Sequence, residues 1–260
     1  MEPDRLKLIL LDLEQTLLAF IRKHGINHAE YRRATDLLIA TIKEGEESLL
    51  PDVFFEAETT NIGNLQRAGS GEAIEGPFYF PGAPLLTSPA RLPQRDNEAG
   101  DILFFSGRVT TPAGDPVPGA EIDVWQADAR GLYSQIHPGI PDWNLRGRLR
   151  TDEEGRYALQ TIMPPPYEIP KNGPTGRVLA ALGRHFFRPA HLHVKLRHAN
   201  LGEMTSQLYF HGDPYLESDV ANAVRDDLIV DLVRHASQQA LADRKLDQPF
   251  FEASYDFVLG

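Results

Sequence analysis

The sequence predicts a mixed, mainly β protein: an antiparallel β-sandwich preceded by an N-terminal α-helical segment. Three observations carry this prediction. Helical periodicity is confined to the stretch from Leu6 to about Gln66. Beyond it, proline and glycine punctuate short runs rich in branched and aromatic side chains, the texture of strands joined by turns. Between the two lies Ala68-Gly69-Ser70-Gly71, a flexible turn that marks a junction and divides the chain into residues 1–70 and 71–260.

Within the first part, Leu6, Ile9, Leu10, Leu13 and Leu17 recur at three- and four-residue intervals, and Tyr31, Thr35, Leu38 and Ile42 repeat the pattern. Gly25 and the stretch from Gly45 to Pro51 interrupt it, which predicts two or three amphipathic helices. In the second part, strands are expected over residues 102–109, 120–126, 155–162, 190–196, 205–210 and 250–259. The alternation Glu121-Ile122-Asp123-Val124-Trp125 gives one such strand a face for the core and a face for water or a site. Residues 215–235 read as a loop followed by a short helix, and no internal repeat or low-complexity tract is present.

Composition excludes several function classes. With 26 basic against 37 acidic residues the net charge is -11, which opposes binding to nucleic acid or to an anionic membrane. There is no cysteine, so thiolate metal sites, iron–sulfur clusters and cysteine nucleophiles are ruled out, and any metal must rest on nitrogen and oxygen donors. Asp4, Arg5, Lys7, Asp12 and Glu14 interrupt the apolar opening, which therefore reads as neither a signal peptide nor a membrane span; a cytoplasmic location is expected.

The segment Arg188-Pro189-Ala190-His191-Leu192-His193-Val194 is the most informative. On a strand, residues two apart share a face, so His191 and His193 can offer two imidazoles to one ion while Leu192 and Val194 face the core. An isolated pair of this kind is equally a structural one. Oxygen donors to complete a metal site would come from distant carboxylates or tyrosines, and two tyrosines stand in turn-rich loops: Tyr133 in Gly131-Leu132-Tyr133-Ser134 and Tyr167 in Pro164-Pro165-Pro166-Tyr167-Glu168-Ile169-Pro170. A phenol ionises near pH ~10, but a strongly charged cation holds it as phenolate. Taken singly, each tyrosine is also a plain core aromatic.

Seven segments together resemble the intradiol ring-cleavage dioxygenases. They are residues 76–84 (from Gly76-Pro77-Phe78-Tyr79), Ile122–Asp128, Gly131–Ser134, Asn144-Leu145-Arg146-Gly147, Pro166–Pro170 with Gly173-Pro174-Thr175-Gly176, Arg188–His193 and Thr205-Ser206-Gln207-Leu208-Tyr209-Phe210. They occur in the family's order over about residues 45 to 212. The resemblance implies one non-haem iron(III) per subunit, held by Tyr133, Tyr167, His191 and His193, and it sets Arg188 and Gln207 on the substrate side with Tyr167. It implies cleavage of a catechol by O₂ between its two hydroxylated carbons, giving a cis,cis-muconate. By the same resemblance Leu49, Asp52, Val53, Ile74, Gly76, Pro77, Phe78 and Tyr79 are candidate walls of the substrate site. The family's N-terminal helices form a homodimer contact and can hold phospholipid, so a homodimer is expected. Catechol is the substrate this implies, with chlorocatechol or hydroxyquinol as alternatives. A non-enzymatic β-sandwich carrier, its histidines and tyrosines structural, is the competing reading.

Overall fold

The computed structural model describes residues 2–260 as two compact units, one reaching to Glu47 and the other running from Ser48 to Gly260. The first holds helices α1 (Pro3–His24) and α2 (His28–Lys43). Proline fits the opening turn of α1, where its missing N–H leaves no bond unmade, and Gly25 ends the helix in the left-handed conformation (φ 60°). Asn27 then starts α2 with a reciprocal cap: its side chain accepts from the Ala29 and Glu30 amides while the Glu30 carboxylate accepts from the Asn27 amide. Leu6, Ile9, Leu13, Leu17, Leu38 and Ile42 remain exposed along these helices.

The second unit opens with the third expected helical stretch, which runs unbroken through α3 (Leu49–Pro51), a widened π-helical turn (Asp52–Glu56) and α4 (Ala57–Asn64). By its contacts this stretch groups with the strands that follow it. The strands are β1 (Ala90–Arg91), β2 (Ile102–Thr110), β3 (Glu121–Trp125), β4 (Arg146–Arg150), β5 (Arg156–Ile162), β6 (Tyr167–Glu168), β7 (Phe187–Arg188), β8 (His191–His198), β9 (Gly202–Phe210), β10 (Ile229–Val230), β11 (Val233–His235), β12 (Phe250–Ser254) and β13 (Phe257–Val258). Helix α5 (Pro174–Ala181) lies between β6 and β7, and α6 (Gln238–Arg244) between β11 and β12.

One sheet has the order β10-β9-β8-β3-β4, the other β1-β5-β2-β12-β11 with β13 alongside β2, and β6 pairs with β7 by itself. Leu103, Phe105, Val109 and Leu159 of one sheet share a single apolar cluster with Ile122, Val124, Leu149, Leu192, Val194, Leu196 and Leu208 of the other. Burying each such side chain is worth roughly 1.5–3 kcal/mol, and this fixes the register of β8. A slip of one residue would turn Leu192, Val194 and Leu196 out and drive two histidines and a lysine into the core.

Three expectations need correction. The sheets are mixed rather than antiparallel: β1 with β5, β12 with β2, β13 with β2 and β10 with β9 all run parallel, because the chain reaches these positions through long connections instead of hairpins. Residues 215–235 hold two short 3₁₀ turns and the strands β10 and β11; the helix comes later, where the Ser237 hydroxyl caps the Ala240 amide. Finally, the expected strands omitted β4. Arg148 can lie within the sheet because it donates to the Glu121 carboxylate (3.1 Å) and the Ala83 carbonyl (2.6 Å).

Candidate active site

His191, His193 and Gln207, singled out by sequence, stand in a row of side chains across the five-stranded sheet. Register sets Arg146 opposite Trp125, Trp125 opposite His193, His193 opposite Gln207, and His191 opposite Tyr209. Being two apart on β8, His191 and His193 share the face away from the apolar cluster, with ring centroids 4.7 Å apart. His191 Nδ1 lies 2.6 Å from the Pro189 carbonyl and so carries the proton there, which leaves Nε2 as a bare lone pair. That Nε2 stands 3.1 Å from Nε2 of His193. Both rings are buried. Burial, aided by the Arg188 guanidinium, pushes His191 down to about 3, and burial with His191 and Arg188 alongside holds His193 well below its ordinary value. Neither imidazole is a cation at neutral pH.

The two tyrosines close the site from their loops. Tyr133 lies 6.0 Å from His193 and Tyr167 5.5 Å from His191, and the two phenol rings meet edge to face at 5.7 Å, all between ring centroids. Tyr133 is held from behind, its backbone N–H donating to Nδ1 of His137 (3.0 Å). Gly131 turns the loop with φ 79°, and it must be glycine: a Cβ there would sit 2.6 Å from the Cβ of Tyr167. Burial raises both phenols above their ordinary value. Tyr167 pushes Tyr133 further up, whereas Arg188 draws Tyr167 back down. Nδ1 of His193 and Oη of Tyr133 are buried without a well-formed hydrogen bond among the described residues. Among the described residues no third histidine or carboxylate joins the pair, so phenol oxygens are the donors on offer beside two neutral imidazoles. This mixed N₂O₂ set suits a hard cation that can ionise a phenol.

Beside these four residues a cleft is lined by Leu49, Asp52, Val53, Ile74, Gly76, Pro77 and Phe78, together with Tyr167, Ile169, Arg188, His193 and Ala221. Burial raises the Asp52 carboxyl above its ordinary value, partly offset by a hydrogen bond from Ser48. Tyr79, the eighth residue expected there, is elsewhere. Its ring packs on Trp125 (4.9 Å), and its hydroxyl donates to Asp123 (3.1 Å) and accepts from Arg197 (2.7 Å). Gln207 does not line the cleft either. Its carbonyl accepts from Arg188 (2.8 Å) and Tyr209 (2.7 Å), and its amide donates to the Ile74 carbonyl (2.7 Å).

Arg188 stands directly opposite Tyr167 in the β6–β7 ladder. It also forms a buried ion pair with Asp219 at 3.0 Å, a partner that reading the sequence did not single out. Nothing in the local sequence marks it, since Glu217 stands only two residues earlier. Arg146 was likewise passed over. It is buried beside Tyr133, donating to the Ser134 and Phe78 carbonyls, and burial lowers it to about 10. A larger groove lies on the six-stranded sheet around Arg91, Phe104 and Arg244; it contains none of these residues.

Known proteins resemble this chain in sequence and fold. Residues 74–260 match the family model Dioxygenase_C, described as a dioxygenase. The chlorocatechol 1,2-dioxygenase of Rhodococcus opacus is 42% identical over 214 residues, covering 81% of this chain and 83% of that protein. The catechol 1,2-dioxygenase of Acinetobacter baylyi is 35% identical over 210 residues, covering 80% and 67%. The crystal structure of 3-chlorocatechol 1,2-dioxygenase from Rhodococcus opacus 1CP superposes with a TM-score of 0.92 at 42% identity, over 100% of this chain and 99% of that one. Family match, sequence identity and fold agree, and the chain belongs to the intradiol ring-cleavage dioxygenases.

Proposed function

We propose that this enzyme binds one iron(III) per subunit through Tyr133, Tyr167, His191 and His193 and cleaves catechol and chlorocatechols with O₂ to cis,cis-muconates. The observation that carries the reading is the pair of neutral, buried imidazole nitrogens 3.1 Å apart, flanked by two buried phenols with Arg188 across the ladder from one of them. Bound there, iron(III) would supply the Lewis acidity that ionises both catechol hydroxyls and the redox partner through which the ring meets O₂.

The chain's own residues do the rest. Tyr167, as a phenolate, would take one of the two catechol protons at Oη, and the other would pass to solvent. The guanidinium of Arg188 faces the negative charge that builds on the ring and lowers its energy. Gln207 holds that guanidinium from the side. Leu49, Val53, Ile74 and Phe78 keep water away and grip the ring by its faces, an apolar lining that tolerates chlorine as readily as hydrogen. Sequence identity favours chlorocatechols in the substrate range, since relatives so named reach 42% against 35% for a catechol enzyme. Asp52, at the cleft wall, faces the ring substituent. The exposed apolar stripes of α1 and α2 suit subunit contact, with the strand-bearing part forming the catalytic domain.

The deciding experiment is a visible spectrum of the purified protein before and after anaerobic addition of catechol or 3-chlorocatechol. A red protein, with a broad phenolate-to-iron(III) band that shifts on adding either diol, is expected. A protein that stays colourless after reconstitution with iron would return the carrier reading to favour. Turnover rates with the two diols then rank them as substrates.

A further inference from the structure

Arg188 offers five N–H bonds, and most are committed away from the cleft. Nε donates to Oδ1 of Asp219 at 3.1 Å and Nη2 to Oδ2 at 3.0 Å, a two-pronged grip on the guanidinium. Nη2 also reaches Gln207 Oε1 at 2.8 Å and Tyr209 Oη at 3.2 Å. The remaining nitrogen, Nη1, lies 3.4 Å from Nε2 of His191, and the guanidinium also supports the hydroxyl of Tyr167, itself a wall of the cleft. A lone pair given to a metal ion is not available to that contact, so both Nη1 hydrogens are left for the cleft that Arg188 lines.

Asp219 is the one carboxylate in this network, and it is itself fixed. Its oxygens accept from the backbone amides of Ala221 and Ala223, each at 3.1 Å, and Ala221 is a wall of the cleft. The arginine and the aspartate are 4% and 3% exposed, so water cannot substitute for either partner.

We infer that Asp219 is a positioning residue for ring cleavage: by gripping Nε and Nη2 it turns Nη1 of Arg188 toward the bound diol, and by fastening the turn at 219–223 it holds that donor in fixed relation to the cleft wall. The inference rests on the reading of Arg188 as the group that faces the substrate. Gln207 and Tyr209 touch the same guanidinium, but both are neutral and both approach Nη2 alone.

The test is a double-mutant cycle in the iron-loaded enzyme. D219N keeps the shape of the side chain but loses the charge and one prong. It is expected to lower kcat about tenfold or more with KM within about threefold of wild type, the pattern of an interaction made in the transition state. Iron content, the visible band of the resting protein and the anaerobic affinity for catechol should stay at wild-type values. In an R188Q background the same substitution should cost nothing further. A D219N enzyme with kcat within about twofold of wild type, or losses that multiply in the double variant, would overturn the inference while R188Q alone still shows its loss. Full activity in R188Q would instead remove the underlying reading, and the inference with it. Should D219N fail to hold iron, D219E keeps the charge but displaces the guanidinium by a methylene. A reduced kcat at unchanged KM then supports the inference, and wild-type kcat overturns it.

Discussion

His191 and His193 are paid for in proton affinity. Folded, His191 is pushed down to about 3 and His193 well below its ordinary value, whereas an unfolded histidine titrates near ~6.5. In the metal-free protein, lowering the pH below about 6.5 lets the unfolded chain take up protons that the folded state refuses. Stability is therefore greatest above that pH and falls by about 1.4 kcal/mol per pH unit for each histidine until the folded site itself begins to protonate. The pH slope of the unfolding free energy between pH 6 and 4 should be shallower by about one proton in H193Q than in wild type. Equal slopes would mean that His193 takes its proton in the folded state. The His-x-His spacing could be read from the sequence because period two on a strand fixes which side chains share a face. Asp219 could not: its role comes from a contact with Arg188 across 31 residues, and no local spacing encodes it.

Among the elements, the loop that carries Tyr133 is the most constrained. Gly131 combines a left-handed backbone with contact distance to Tyr167, so G131A suffers both a backbone cost of about 1–2 kcal/mol and displacement of the Tyr167 ring. The expected outcome is a lower unfolding midpoint together with a weakened or shifted visible band in the iron-loaded protein. A normal band would show that Tyr167 tolerates the displacement. The central strands β2, β3, β5, β8 and β9 were legible as short runs of branched and aromatic residues set off by glycine and proline. β4 was not, since its arginines look like loop until their partners at Glu121, Ser134 and Phe78 are known. The parallel strands were equally hidden, for direction depends on how long connections travel and not on local pattern. Tyr79 shows the same limit within one motif: it follows Phe78, which packs 4.8 Å from Tyr133, yet it points to the other side and serves Asp123 and Arg197.

For the whole molecule, the apolar stripes on α1 and α2 are costly to leave in water. Leu10, Leu13 and Leu17 are each about half exposed, and a stripe of this kind is what the proposed subunit contact would cover. Sedimentation should give a dimer for the wild-type enzyme. Replacing Leu13 and Leu17 by lysine should shift it toward monomer while the visible band, set by the other compact unit, survives. A monomeric wild type would remove the subunit-contact role of these helices. No helix among the described residues is long and apolar enough to cross a membrane, so that surface has no bilayer-spanning alternative in a helix.

The indole of Trp125 lies flat on the imidazole of His193, 4.7 Å between centroids and 11° from parallel. The chain has only two tryptophans, and the other, Trp143, packs near Phe80. An absorbing iron centre bound at His193 would drain the excited state of Trp125, whose indole stacks on that ring. The protein thus carries its own optical gauge of loading. Emission should brighten when a chelator empties the site and dim as iron returns, and the change should be smaller in W125F, giving a titration that needs neither substrate nor turnover.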